Sequence, residues 1–378
     1  MFLFLNVISA NAQQPQLATY RETAQVLVDQ QSQNITTAFI TLSSTSPLEM
    51  RVPPELIQKI HDAQNVSSVT ITNTKSCIER VGNKACVLIN IIDPSLLESY
   101  NITKIQSKSQ AIGDSLIGDI NKDFGLTAEF YEVFVNFKGQ LNKELGTSGN
   151  ISGNRTISVV YTMSPPESSN FFDYFSSTLM PKQITESGGF IDVAKKMSND
   201  SNSDVTFAIT PTQSGAIYQL QVGDRFPIKN RITAVSPLDL FGVDKLDRSS
   251  YFSSGFFPLN SLLLVTILSN QSLAITDHGG DIVPTTENNG QKIPSDLTKA
   301  GWLFDPSSGT RIGAVYLFGT TSSATKDDLM LTLGNATATV NPNPIPPNPT
   351  PTIDYSIYVV IGIVATAGIA IYIFLRKR

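Results

Sequence analysis

Two hydrophobic periods divide this chain. Residues 68–74 (SVTITNT) alternate apolar and polar, and 85–92 (ACVLINII) are apolar and β-branched, so both read as strands. Pro94 suits a first helical turn, and Ile112, Leu116, Ile120 and Phe124 then recur at i, i+4, i+8 and i+12, one helical face. Gly125 stands where a C-cap glycine belongs, and 129–137 (EFYEVFVNF) follows as a largely buried strand. The pattern predicts a β-hairpin, a long helix and a strand.

After the turn-rich stretch 146–154, residues 156–162 read as a strand, and 171–179 and 190–197 as short helices. Residues 205–209 and 216–222 would pair through the loop 210–215. From about 256 the helical period disappears. Residues 262–268, 273–276, 312–318 and 329–333 read as strands between Gly, Pro and Asn turns, as in a small sandwich. The expected fold class is α+β: mixed sheets with segregated helices over 13–145 and 146–254, then a β-rich unit over 255–340.

The two ends carry a different pattern. Residues 356–375 are 20 residues without a charge, which as a helix span about 30 Å, the hydrocarbon thickness of a bilayer. Tyr355, Tyr358, Tyr372 and Phe374 sit where interfacial aromatics belong, and Arg376, Lys377 and Arg378 place the C-terminus in the cytoplasm. One transmembrane helix is therefore expected over 355–375, with a basic tail over 376–378. Before it, 341–354 holds six prolines at 342, 344, 346, 347, 349 and 351. Proline excludes helix and central strand, so this is a stalk whose 341–352 part spans roughly 35–40 Å in polyproline II form. At the start, an apolar run and Ala10-Asn11-Ala12 read as a signal peptide over 1–12 that is truncated, because the first basic residue is Arg21. The alternative is an ordinary N-terminal strand.

Composition then narrows the partners. Charged residues are only 16% of the chain, against 41% hydrophobic, and the net charge of −5 includes no basic stripe, so nucleic acid is not expected as a partner. Ser, Thr and Asn make up the polar surface, which suits an extracellular face. The only cysteines are Cys77 and Cys86. A four-residue loop at 80–83 would set them opposite each other in a hairpin, within reach of a disulfide. Eight sequons, candidate N-glycosylation sites (Asn34, Asn65, Asn101, Asn150, Asn154, Asn199, Asn270, Asn335), mildly exceed what this composition yields by chance and agree with an exported glycoprotein.

Catalytic signals are weak. Asp119, Asn121 and Asp123 open like a calcium loop, but the glycine comes one position late and Phe130 stands where the bidentate acid belongs. His278-Gly279-Gly280-Asp281 is similar to an oxyanion element of α/β-hydrolases, yet no G-x-S-x-G elbow accompanies it, and a Gly-Gly turn explains it as well. Asp239, Asp244 and Asp247 read as solvated loop acids. No cofactor or metal is expected. Gly362, Thr366 and Ala370 repeat at i, i+4 and i+8, a small-residue face suited to pairing membrane helices as a homodimer.

Stalk, apolar helix and terminal basic cluster together resemble the tail of archaeal membrane-anchored surface proteins. They are also similar to archaeosortase substrates, although Ile353-Asp354-Tyr355 stands where a motif such as PEFG would. The resemblance implies a body outside the cell, held in the lipid bilayer through 355–375 and meeting an extracellular or envelope partner. The expected function is non-catalytic binding or scaffolding. The alternatives are an exported hydrolase with dispersed Asp/Glu residues, or a spacer in the cell envelope.

Overall fold

The computed structural model describes residues 20–335 except 46–49, 64, 83, 93–101, 138–154, 165–169, 187, 201–202, 214, 255–257, 259, 289–290, 297 and 305–308. The expected signal segment, stalk, membrane span with Gly362, Thr366 and Ala370, basic tail, and sequons Asn101, Asn150 and Asn154 lie outside the described residues. Among the described residues no helix is long and apolar enough to cross a membrane.

The fold is mixed α+β, rich in sheet with few helices. Its strands are β1 (Arg21–Asp29), β2 (Ile35–Ser44), β3 (Val66–Thr72), β4 (Ala85–Ile91), β5 (Glu129–Phe137), β6 (Arg155–Met163), β7 (Asp204–Thr212), β8 (Gly215–Pro227), β9 (Ala234–Val235), β10 (Lys245–Asp247), β11 (Asn260–His278), β12 (Thr285–Asn288), β13 (Gln291–Pro294), β14 (Gly301–Phe304), β15 (Gly309–Leu317), β16 (Ser323–Thr325) and β17 (Leu331–Asn335). The helices are α1 (Pro54–Asp62), α2 (Lys75–Val81), α3 (Ile102–Phe124), α4 (Phe171–Leu179), α5 (Lys182–Thr185), α6 (Phe190–Ser198), α7 (Pro237–Leu240) and α8 (Ser249–Ser254).

One 13-stranded sheet organises them, in the order β14-β15-β11-β1-β2-β8-β7-β3-β4-β6-β5, with β17 on β11 and β9 on β17. Among the strand pairs of the described residues, only β1 with β11 is parallel. Alternation in β1 buries Ala24, Val26 and Val28 on one face. Strand register carries that face through Ile40, Val222, Val205 and Phe207 to Ile71, Val87 and Tyr161. Helices α1, α3, α4 and α6 pack against it. Phe124 and Phe175 close on Phe207 with ring centroids 5.9 and 5.6 Å away. Gly113 lets α3 come close, since an added Cβ would overlap the hydroxyl of Tyr161. The opposite face carries a neutral rung, Thr23–Thr41–Gln221–Thr206–Thr72, across five strands. The low charge of the chain is thus laid out as hydroxyl and amide groups on a sheet face.

Several expectations change. The last third does not fold into a sandwich of its own. Its strands extend the common sheet, because β1 pairs with β11 and β2 with β8, across both expected unit boundaries. The two strands expected at 262–268 and 273–276 are one strand, β11, whose register shifts between Leu268 and Leu273. The loop expected at 210–215 is tighter, since β7 and β8 stay paired to Thr212↔Gly215. Helix α3 ends as expected, with Gly125 at φ +61°.

The disulfide Cys77–Cys86 is present, with Cα atoms 6.0 Å apart, but it does not cross a strand ladder. The residue opposite Cys86 is Thr72, and Cys77 lies on α2. Local polar bonding ends the strand early. The Thr72 hydroxyl accepts the Thr74 N–H (3.2 Å), Asn73 accepts from Val205 N (2.8 Å), and Asp204 takes the Lys75 N–H at the start of α2 (2.9 Å). Side chains that bond nearby backbone in this way divert it from the ladder. Helix α2 then sets Cys77 and Val81 against Cys86 and Val160 on the outer face, with Leu88 and Phe134 beside them. Breaking the bond with Cys77→Ala should lower stability by about 2.5–3 kcal/mol, the loop-entropy value for so short a loop. Denaturant midpoints, with a peptide map of unreduced protein, check this; an unchanged midpoint would show that packing alone holds α2.

Candidate functional site

The buried face of β1 contains one group that does not belong to an apolar row. Glu22 shares the parity of Ala24, Val26 and Val28 and exposes no surface. An ionised carboxylate in such a place is very unfavourable unless it is bonded. Tyr251 of α8 donates its hydroxyl to Glu22 Oε1 at 2.5 Å, and Ser261 Oγ donates to Oε2 at 2.9 Å. Ser261 is also the register partner of Glu22 across the parallel β1–β11 junction. Arg248 Nη2 donates to Ser261 Oγ at 3.1 Å, so one hydroxyl stands between the carboxyl and its nearest cation. The other guanidinium nitrogen, Nη1, donates to the carbonyls of Phe318, Gly319 and Thr321 at 3.3, 3.4 and 3.0 Å. The guanidinium also lies over the rings of Tyr251 (5.2 Å) and Phe318 (5.4 Å).

Burial decides the electrostatics. Desolvation raises the Glu22 carboxyl from 4.5 to about 7, against the hydroxyls of Tyr251, Ser261 and Tyr20 and the charge of Arg248. Burial and the neighbouring carboxyl push the Tyr251 hydroxyl far above its ordinary value. The cluster therefore stores a proton near neutral pH, as a catalytic carboxyl can. Yet Glu22 and Tyr251 are 0% exposed and Arg248 only 4%, so no substrate atom reaches them in this conformation. What the cluster does here is fasten. It joins β1, β11, α8 and the turn after β15 at the parallel seam between the two strands. Sequence reasoning missed it, although a signal was present: in Arg21–Asp29 (RETAQVLVD) the glutamate falls on the buried parity.

A second feature lies at the sheet edge. β5 ends the strand order and pairs among the described residues only with β6. Phe130 and Tyr131 on it are 42% and 47% exposed. The outer side of this edge is braced by α2. Arg80 pairs with Glu132 (2.7 Å), lies 4.2 Å from the centre of the Phe134 ring, and gives its carbonyl to the Tyr131 hydroxyl (3.1 Å). The disulfide holds the helix that supplies these contacts.

The other sequence candidates disperse. Asp119 pairs with Lys59, and Asn121 spends both side-chain atoms on the backbone of Ala128, so the calcium-like residues do not converge. Among the described residues no three His, Cys, Asp or Glu side chains come together as a metal site would need. Asp239 and Asp244 both pair with Lys326, and Asp247 accepts the Ser249 N–H at the start of α8. His278 and Gly279 end β11, where the Gly279 N–H bonds the Met330 carbonyl and the backbone of Asp327 lies so close that any Cβ would overlap it. The paired glycines serve backbone approach, not an oxyanion. The five described sequon asparagines, Asn34, Asn65, Asn199, Asn270 and Asn335, are all exposed.

The fold and these features define a sheet-rich α+β protein with a sealed acid cluster and an open aromatic edge. No protein-family model matches the chain, and no curated protein matches it.

Two outcomes follow from the geometry. The folded pKa of Glu22 lies above the unfolded one, so the protonated carboxyl stabilises fully below about pH 4.5, and this contribution is lost as pH rises through about 7. The difference amounts to about 3 kcal/mol. Glu22→Gln cannot ionise, so urea midpoints between pH 4 and 8 should vary less in the variant than in the wild type. Parallel profiles would remove the stored proton from the account. Separately, Gly279→Ala should cost about 2–3 kcal/mol through backbone overlap, read by thermal unfolding, with a wild-type melting temperature as the refuting result.

Proposed function

We propose that this chain is an exported, single-pass membrane protein that presents a non-catalytic binding or scaffold body outside the cell. The observation that carries the binding half is β5. An edge strand that pairs among the described residues only with β6, and carries two exposed aromatic side chains, offers backbone donors and acceptors together with apolar contact, which is what an extended partner segment adds to. Glu132 and Arg80 beside it supply opposite charges that set register. The fate of the acids points the same way. Glu22 is bonded inside the fold, while the exposed Asp239 and Asp244 pair with Lys326 and Asp247 accepts the Ser249 N–H.

The anchoring half rests on the uncharged run 356–375, its basic end and the proline-rich 341–354, which resemble the tail of archaeal surface proteins. A disulfide in the body suits an oxidising compartment.

Protease added to intact cells should release the body by cutting near 341–354, because proline-rich linkers have few protecting contacts. Digestion only after lysis would turn the topology around and leave a tail-anchored protein with its body in the cytoplasm. Released wild-type body should stay with isolated cell envelopes, and Phe130→Lys with Tyr131→Lys should weaken that retention about tenfold while the variant still unfolds in one cooperative transition. Equal retention of the double variant would remove β5 from the binding surface.

A further inference from the structure

Strand register gathers three of the sequon asparagines around the end of β1. At this end β1 finishes at Asp29, facing Ile35 of β2 on one side and Leu268 of β11 on the other. Asn34 directly precedes Ile35, sits at φ +50°, and its carbonyl accepts the Ile228 N–H (2.8 Å) where β8 leaves the sheet. Asn270 lies in the step between Leu268 and Leu273, where the pairing of β11 shifts. Asn335 faces Leu273 from β17, and its Oδ1 accepts from Arg231 (2.8 Å), three residues beyond Ile228. Asn65, by contrast, opens β3, whose first residues lie at the opposite end from the Thr72–Thr206 pair beside Asp204.

Several asparagines outside sequons are held by side-chain bonds within the fold. Asn73 accepts from Val205, Asn90 bridges Ser68 and Ser158, Asn121 bonds Ala128 twice, and Asn170 caps α4. In Asn34, Asn270 and Asn335 no hydrogen bond among the described residues engages Nδ2, the atom that a sugar would take. All three side chains are exposed.

We propose that Asn34, Asn270 and Asn335 are N-glycan acceptors that form one saccharide-bearing rim, where β1 ends beside the register step in β11. This rests on the reading of the body as exported. The donor is a lipid-phosphate-linked saccharide: Nδ2 forms a bond to the anomeric carbon, the carbon–oxygen bond to the lipid phosphate breaks with its electrons leaving on that phosphate, and the amide gives up one proton. Thr36 of the first sequon is buried, so transfer to Asn34 precedes the folding of β2. Ser272 of the second is exposed, so Asn270 accepts in either state. Sugars on this rim hinder protease approach to the segment that follows Asn335.

Glycopeptide mass spectrometry of full-length chain, purified from membranes of its own cells, tests the sites. Saccharide mass on the peptides of Asn34, Asn270 and Asn335 is the expected result. The combined Asn34→Gln, Asn270→Gln and Asn335→Gln variant should keep the wild-type melting temperature and release its body to external protease about tenfold faster. A body that external protease reaches but whose three asparagines are bare overturns the rim and leaves the exported reading standing. A body protected until lysis, with no sugar anywhere, overturns that reading itself. Sugars present on the wild type with equal release rates overturn the shielding role.

Discussion

The parallel seam between β1 and β11 depends on a carboxyl that is buried without direct contact to a cation. Glu22 is held by hydroxyls, and Arg248 reaches it only through Ser261. Because the guanidinium is bound mainly to three carbonyls of the turn after β15, the two strands, α8 and that turn are tied by one connected set of bonds. A buried acid that lacks a direct ion pair keeps its proton more readily, which is why desolvation outweighs Arg248 here. The outer β-rich third is thereby joined to the first strand of the chain, and not folded on itself.

The disulfide plays a similar part at the far edge, at smaller scale. The α2 segment is seven residues long, too short to persist without help from packing or a covalent link. The bond from Cys77 fixes it over β4 and β6, and the fixed helix in turn supplies Arg80 to β5. An edge strand with aromatic side chains is normally a hazard for uncontrolled pairing. Here one side of it is covered by a tethered helix, and the register shift between Phe130 and Glu132 breaks its regularity.

Local pattern made much of the central region legible. The helix ending at Phe124 and Gly125, the strand Glu129–Phe137 and the helix Phe171–Leu179 follow from spacing that each segment carries within itself. The elements around Cys77 were misread because Thr72, Asn73 and Asp204 redirect the backbone through side-chain bonds that no hydrophobic period records. The sheet order was not legible, since Glu22 and Ser261 are 239 residues apart and only their shared parity connects them. The acid cluster was only partly legible: Glu22 falls on the buried parity of its own strand, but its partners appear only where four segments meet.

That separation has a consequence for how the chain matures. β1 and β2 are synthesised early, but the free side of β1 has no partner until β11 is made. At about 5–20 residues per second the delay is roughly 10–50 seconds, and non-local parallel pairing is itself slow. Throughout this interval the strand Arg21–Asp29, with its Ala24-Gln25-Val26-Leu27-Val28 run, is open to mispairing. Glu22 puts an ionisable group beside that run. In water at neutral pH it is ionised, since its unburied value is 4.5, and the charge opposes association of exposed strands. When β11 arrives and the seam closes, the same carboxyl is driven toward protonation at about 7. One side chain thus repels while the edge is unprotected and gives up much of its charge on joining the core.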